Sequence, residues 1–140
     1  MCTTTTIQKN IVRLGTRSFR NRMEMAGGGF DSARKLANLN RSIDKLYDCI
    51  YSESENMTGD QYNEFAPQLH ILISTIKELY TCCRKSSFKE EMREEISELS
   101  KNYSALYELS ADLKRSFAHK ETRLVDAGLS RKVAAALKAI

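Results

Sequence analysis

Apolar residues recur at alternating three- and four-residue spacing in three successive segments of the chain. The first stripe consists of Leu36, Leu39, Ile43, Leu46 and Ile50. The second consists of Tyr62, Phe65, Leu69, Leu72, Ile76, Leu79 and Cys83, and the third of Met92, Ile96, Leu99, Tyr103, Leu106, Ser110, Leu113 and Phe117, with Leu109 beside the polar gap. A mean period of about 3.5 residues keeps one face of a helix turned toward a partner helix. The pattern predicts an all-α fold, an antiparallel helical bundle of three long heptad-patterned helices.

Capping residues predict where these helices begin. Asp31 precedes the first stripe, where its carboxylate would accept a hydrogen bond from an amide of the first turn. Thr58 and Gln61 have the spacing of a capping box ahead of the second stripe, and Ser87 and Glu90 have it ahead of the third. We therefore expect three helices that start near these residues and are joined by short turns.

Pro67 lies inside the second stripe, where its ring removes a backbone hydrogen bond. Because the stripe keeps its register through Pro67, we expect one bent helix. A helix that restarts at Pro67 is the alternative. The third stripe predicts a helix of more than about 30 residues, long for a globular protein, which Gly128 would end.

The N-terminal part of the chain predicts a basic amphipathic helix over residues 7–26. Its apolar side carries Ile7, Ile11, Leu14 and Met25, its opposite side carries Lys9, Arg13, Arg17 and Arg20, and Val12, Phe19 and Met23 flank the apolar side. Arg22 falls outside this division. Three consecutive glycines at 27–29 predict a hinge. We therefore divide the chain into a basic segment (1–29), a three-helix bundle (30–123) and a short C-terminal helix (124–140) that packs on the bundle or extends from it.

Four interpretations of the basic segment stay open at this point. It could lie on an anionic membrane surface, contact nucleic-acid phosphates or serve as a mitochondrial targeting sequence. It could also be one more helix of the bundle or a helix that docks on a protein.

Charge is distributed unevenly along the 140 residues, whose net charge is +4. Residues 1–29 carry five Lys or Arg and one acid, residues 30–113 carry ten and fifteen, and residues 114–140 carry seven and two. The basic ends could bind an external polyanion. Alternatively they could dock on the acidic middle of the same chain or of a neighbour.

The residues that carry catalysis or metal binding are sparse. The chain has two histidines, His70 and His119, and no HExxH, CxxC or GxSxG motif. We therefore expect no enzymatic activity, no metal and no cofactor. Nothing near the N-terminus is typical of a secretory signal, so we expect a cytoplasmic location and four reduced thiols, at Cys2, Cys49, Cys82 and Cys83.

The C-terminal segment 124–137 has a faint similarity to a helix-turn-helix. Gly128 would be its turn glycine, and Arg131 and Lys132 would open its recognition helix. A docking helix or a frayed tail is the alternative interpretation.

These patterns predict a non-enzymatic helical-bundle protein-interaction module, an adaptor or an assembly subunit. The alternative is a polyanion-binding protein that contacts nucleic acid or an anionic membrane through residues 7–26. The candidate contact residues are Lys9, Arg13, Arg17, Arg20, Arg22, Arg131 and Lys132. A protein partner is the first expectation, without a small-molecule substrate. Tyrosines 47, 51, 80 and 107 widen the apolar faces, so a homo-oligomer is a further alternative.

Overall fold

The computed structural model of the protein describes residues 3–26, 32–126 and 136–137. Within these ranges the chain forms four long α-helices and no strand. They are α1 (Thr4–Ala26), α2 (Ser32–Glu53), α3 (Gly59–Lys85) and α4 (Arg93–Asp126). The prediction of an all-α helical bundle is confirmed.

Each helix of the bundle packs against two neighbours. Helix α1 lies against α2 and α3, and α4 lies against the same two helices from the opposite side. The connection from α2 to α3, residues 54–58, therefore joins two helices that lie diagonally opposite each other. This arrangement makes α1 and α3 adjacent, and their contact is the most extensive in the bundle.

Contacts between named residues give the directions of the helices. Arg17 of α1 reaches Ser42 of α2, while Glu24, later in α1, reaches the earlier Lys35, so these two helices are antiparallel. Arg22 and Met25 of α1 contact Glu78 and Cys83 of α3, which lie 56 and 58 residues later in the chain. Because the later residue of α1 contacts the later residue of α3, these two helices are parallel. Tyr62 near the start of α3 stacks on Phe117 late in α4, with ring centroids 4.7 Å apart. Consecutive helices are therefore antiparallel throughout.

One core joins all four helices. Phe65, Leu69, Ile76 and Leu79 of α3 are fully buried at its centre. Helix α1 adds Ile7, Ile11, Leu14 and Met25, and α2 and α4 add the residues of their own stripes. Burying each large aliphatic side chain contributes about 1.5–3 kcal/mol. Of the four interpretations of the basic segment, the structure therefore agrees with an additional helix of the bundle.

The start of α3 follows its predicted capping box. The Thr58 hydroxyl accepts from the Gln61 amide at 3.1 Å, and the Gln61 side chain accepts from the Thr58 amide at 3.0 Å. Pro67 lies within an uninterrupted α3. The predicted continuity of the helix is confirmed and the alternative of a helix that restarts at Pro67 is wrong, whereas the predicted bend at Pro67 stays a prediction.

The predicted start of α4 at Ser87 is wrong, because α4 begins at Arg93. Residues 86–92 form turns with successive hydrogen bonds between residues three apart. The Ser86 hydroxyl accepts from the Phe88 amide at 3.1 Å and so holds the chain out of a helix at this point. These turns place Phe88 and Met92 against the end of the core. Helix α4 still has 34 residues, as its long stripe predicts.

The expectation of four reduced thiols is also wrong. Cys82 and Cys83 are free, but Cys49 is disulfide-bonded. The sequence pattern treats Cys49 as a residue of α2 alone. Cys49 and Asn10, in the first half of α1, line the same groove between α1 and α2. No local sequence motif predicts that these two residues are near each other.

Several sequence predictions fall outside the described residues. These are the glycine hinge at 27–29, the cap at Asp31, and the candidate contacts Arg131 and Lys132 with most of the short C-terminal helix. They stay predictions.

Two asparagines form a polar contact within the core that the apolar stripes did not predict. Asn102 of α4 donates from Nδ2 to Asn40 Oδ1 at 2.9 Å, and Asn40 of α2 donates from Nδ2 to the Glu95 carbonyl at 3.0 Å. The two side chains are 5% and 4% exposed. A buried amide pair favours the one helix alignment that satisfies both groups, as single polar core residues do in coiled coils.

Replacing one member of this pair is expected to destabilise the bundle more than replacing both. Asn102→Leu leaves Asn40 Oδ1 buried without a donor, which costs about 1–3 kcal/mol. The double variant Asn40→Leu/Asn102→Leu removes both polar groups and is expected to unfold at a free energy within about 1 kcal/mol of the wild type. Urea unfolding followed by circular dichroism measures Asn40→Leu, Asn102→Leu and the double variant, and a loss in the double variant equal to the sum of the two single losses would contradict the pairing.

Candidate protein-interaction surface

Helices α1 and α3 expose four large apolar side chains on one side of the bundle. Val12, Phe19 and Met23 of α1 are 54%, 54% and 60% exposed, and Ile71 of α3 is 65% exposed. Single exposed apolar residues are common, but a group on one face is typical of an interaction site. We call the outer surface of these two helices the α1–α3 face.

An open groove of about 400 Å³ runs between the two helices on this face. Its walls are Ile11, Val12, Gly15, Thr16 and Phe19 of α1, and Gln68, Ile71, Leu72 and Thr75 of α3. The exposed side chains of Val12, Phe19 and Ile71 form its rim, and Leu72 is a core residue. The groove therefore joins the exposed apolar group to the buried core.

Gly15 keeps part of this groove open. A β-carbon built at Gly15 would meet nothing within 4 Å, so packing within the chain does not require a glycine there. A glycine inside a helix is less stable than an alanine by about 0.5–1 kcal/mol. Gly15 therefore makes α1 slightly less stable than an alanine would, at a position where a larger side chain would fill the groove.

Gln68 adds one polar group to the groove. Its Oε1 atom is buried and accepts no hydrogen bond from the described residues. An unsatisfied buried acceptor costs free energy that a donor would recover.

Opposite charges lie on the two sides of the α1–α3 face. Lys9, Arg13 and Arg20 are exposed on α1 and form no ion pair within the described residues. Helix α3 carries Glu64 and Glu78 at seven-residue spacing on either side of Ile71, so all three lie on one side of that helix. The face thus carries cations along α1 and the two acids Glu64 and Glu78 beside Ile71 on α3, while Lys77, Arg84 and Lys85 of α3 are also exposed.

The other two basic candidates on α1 are engaged within the chain. Arg17 donates from Nη1 to Ser42 Oγ at 2.9 Å, and Arg22 forms an ion pair with Glu78 at 2.9 Å. These contacts agree in part with the interpretation that the basic segment docks on the acidic middle of the chain. Five predicted contact residues of α1 therefore divide into three that face solvent and two that help to hold α1 in place.

A second, smaller groove lies between α1 and α2. It has a volume of about 170 Å³, and its lining includes Arg13, Arg17, Lys45 and Ser42. None of its lining residues is an acid. Three cations around one polar groove could bind an anion such as a phosphate.

Sequence reasoning placed Val12, Phe19 and Met23 beside the apolar side of α1, but it assigned no role to Gly15 or Ile71. A usable signal was present in the seven-residue spacing from Val12 to Phe19, outside the main stripe. The sequence does not indicate that α3 is the neighbour of α1. It therefore does not predict that Ile71 lies on the same face as Val12 and Phe19.

Burial raises the pKa of the Cys83 thiol to about 12, with the neighbouring Cys82 adding to the shift. Burial also raises the pKa of Asp44, and Glu98 and Asp48 raise it further. Neither group borders the α1–α3 groove. Their shifts report packing in the core and crowded acids between α2 and α4.

Cys83 is expected to react with iodoacetamide at neutral pH at least about tenfold more slowly than Cys82, because its thiol is buried and protonated. The raised pKa also links stability to pH. The folded thiol keeps its proton while the unfolded thiol loses it above its ordinary value of 9.0, so this contribution to stability falls between about pH 9 and 12. Mass spectrometry of the alkylated protein measures the two rates, and equal rates would contradict the burial of Cys83.

The described residues show neither a metal-binding cluster nor a helix that could span a membrane. They contain no group of three or more His, Cys, Asp or Glu side chains arranged to hold a metal ion. None of the four helices combines the length and the apolar character that crossing a bilayer requires.

Comparisons with known protein families, with curated sequences and with solved structures return no match for this chain. The features of the chain that bear on function are therefore the α1–α3 face and the grooves beside α1.

Proposed function

We propose that this chain is a non-enzymatic protein-interaction module, an adaptor or assembly subunit, that binds its partner through the α1–α3 face. The observation that carries the proposal is the apolar groove with the exposed side chains of Val12, Phe19 and Ile71 at its rim and the exposed Met23 further along α1. Association buries such side chains and is favourable because apolar area leaves water. Charge on the face defines the chemistry of the partner, a protein surface with an apolar centre, acids facing α1 and cations facing α3.

Two matched substitutions test this proposal. Phe19 and Tyr51 are 54% and 62% exposed, but only Phe19 borders the groove. Phe19→Asp is expected to leave folding intact and to release the chain from its partner, whereas Tyr51→Asp is expected to leave both folding and binding intact. Gel filtration of lysate from cells that make each variant, followed with an antibody, reports the size at which the chain elutes.

The wild type and Tyr51→Asp should elute well above the 15.9 kDa of the free chain. Phe19→Asp should elute as the free chain. Equal elution of the two variants would contradict the assignment of the α1–α3 face.

A second candidate function is polyanion binding, and one observation favours it. Arg13, Arg17 and Lys45 surround the α1–α2 groove, whose lining has no acid. Phosphates bound there would release counterions, so affinity should fall steeply with salt. Lys45→Glu should then weaken binding of a fluorescent single-stranded oligonucleotide at least about tenfold, and Lys101→Glu, an exposed site on α4, should not.

A cytoplasmic location stays a prediction. The disulfide at Cys49 is evidence against it, because cytosolic proteins mostly keep their thiols reduced. Cell fractionation with the antibody used for gel filtration would decide between a cytoplasmic and an oxidising location.

A further inference from the structure

We propose that the partner on the α1–α3 face is a second copy of this chain, related by a two-fold axis that runs parallel to the helices along the groove. This inference rests on the proposed function and names the partner for the same face. Such an axis places α1 of each copy against α3 of the other, so the basic side of one copy meets the acidic side of the other in both halves of the interface.

Charge is the first argument for a second copy. On this face the exposed cations Lys9, Arg13 and Arg20 lie on α1, and the exposed acids Glu64 and Glu78 lie on α3 in line with Ile71. A surface with one sign on each side of an apolar centre is complementary to itself after this two-fold rotation. A two-fold axis across the helices would instead place α1 against α1, with like charges facing each other.

The register of the two helices is the second argument. Arg22 pairs with Glu78 and Met25 touches Cys83, so residues of α1 lie level with residues 56 to 58 positions later in α3. A two-fold axis parallel to the helices keeps these levels. Lys9 of one copy then lies within about one turn of Glu64 of the other, and Arg20 lies level with Glu78, which already pairs with Arg22 of its own chain.

The size of the face is the third argument. Helix α1 has 23 residues and is therefore about 35 Å long. Two adjacent helices of about 10 Å diameter present a surface of about 700 Å², close to the roughly 800 Å² that each partner contributes to a stable interface. The face is large enough for a specific dimer without any other part of the chain.

Gly15 and Gln68 fit the same arrangement. The space over Gly15 lets the exposed side chain of Ile71 of the other copy approach the backbone of α1. Gln68 also lines the groove, and its buried Oε1 atom accepts no hydrogen bond from the described residues, so a donor of the other copy could reach it only after the side chain moves.

A charge exchange between copies tests the inference. Lys9→Glu and Glu64→Lys each place like charges opposite one another in both halves of the dimer, and each is expected to weaken self-association at least about tenfold. In a mixture of the two variants, the two introduced charges face each other in one half of the dimer. The unchanged Lys9 and Glu64 face each other in the other half, so the mixed dimer regains both attractions. Analytical ultracentrifugation of the purified full chain at about 100 µM measures the association constants.

Two controls accompany the exchange. Lys101→Glu changes a charge on α4, away from the face, and should leave association unchanged. Gly15→Leu fills the groove without meeting any atom of its own chain near the β-carbon, so it should keep or raise the melting temperature while lowering association.

The inference predicts a wild-type dimer, two weakened variants and recovery in their mixture. It is overturned if the wild type sediments as a 15.9 kDa monomer at this concentration, or if the mixture associates as weakly as each variant alone. If the purified chain is a monomer but Phe19-dependent complexes persist in lysate, the second copy is excluded and the proposed function stands. If those complexes are also absent, both proposals fail.

Discussion

Ile11→Ala is expected to lower the free energy of unfolding by about 2–5 kcal/mol, the cost of removing a large aliphatic side chain from a packed core. Ile11 is 1% exposed between α1 and α3. Its neighbour Val12 is 54% exposed, so Val12→Ala is expected to change the free energy by less than about 0.5 kcal/mol. Urea unfolding followed by circular dichroism measures both.

The pair of substitutions separates two roles within one helix. Adjacent residues share the local helix propensity, and they differ mainly in the face of α1 on which they lie. Equal effects of the two substitutions would contradict the packing of α1 in the bundle. A small loss of unfolding free energy in Ile11→Ala would indicate that α1 is an accessory helix that adds little to the stability of the bundle.

Removal of residues 1–29 is expected to abolish cooperative unfolding. The deletion takes Ile7, Ile11, Leu14 and Met25 out of the core and exposes the side of α3 that they cover. At about 1.5–3 kcal/mol for each side chain, the loss is about 6–12 kcal/mol. That loss is similar to the whole stability of a domain of this size.

Thermal unfolding of the shortened chain tests this expectation. The control is full-length Phe19→Ser, which removes an exposed apolar side chain and should keep a cooperative transition. A shortened chain with a sharp transition near that of the full chain would contradict the account. If the deletion unfolds the protein, it cannot be used to test binding by α1, and point substitutions on the exposed side of α1 are needed.

Much of the fold could be predicted from the sequence because the long apolar stripes indicate which side of each helix is buried. Leu39, Leu69 and Leu99 lie on stripes, and all are fully buried. The capping box at Thr58 could be read because its hydrogen bonds join residues three apart. Local geometry of this kind is encoded within a few residues of sequence.

The start of α4 shows where local reading fails. Ser87 and Glu90 have the spacing of a capping box, but the neighbouring Ser86 binds the amide of Phe88 instead. Burial of Phe88 and Met92 at the end of the core favours the turns over an earlier helix start. The competing side chain is local, but the packing that decides between the two is not.

The candidate site was harder to predict because it depends on which helices are neighbours. An apolar stripe shows that a helix packs, but it does not name the helix against which it packs. Val12 and Ile71 are far apart in sequence and meet on one face only because α1 lies parallel to α3. The sequence pattern did not predict the disulfide at Cys49 either.

Photo-crosslinking from single positions tests the central claim most directly, that the α1–α3 face binds a protein. A photoreactive phenylalanine is placed at Val12, Phe19 or Ile71 on the face, or at Tyr51 or Tyr107 elsewhere, all of them exposed. The account predicts adducts from the first three positions and none from the last two, with a mass of twice the chain if the partner is a second copy. Adducts from Tyr51 or Tyr107 alone, or equal yields from all five positions, would contradict it.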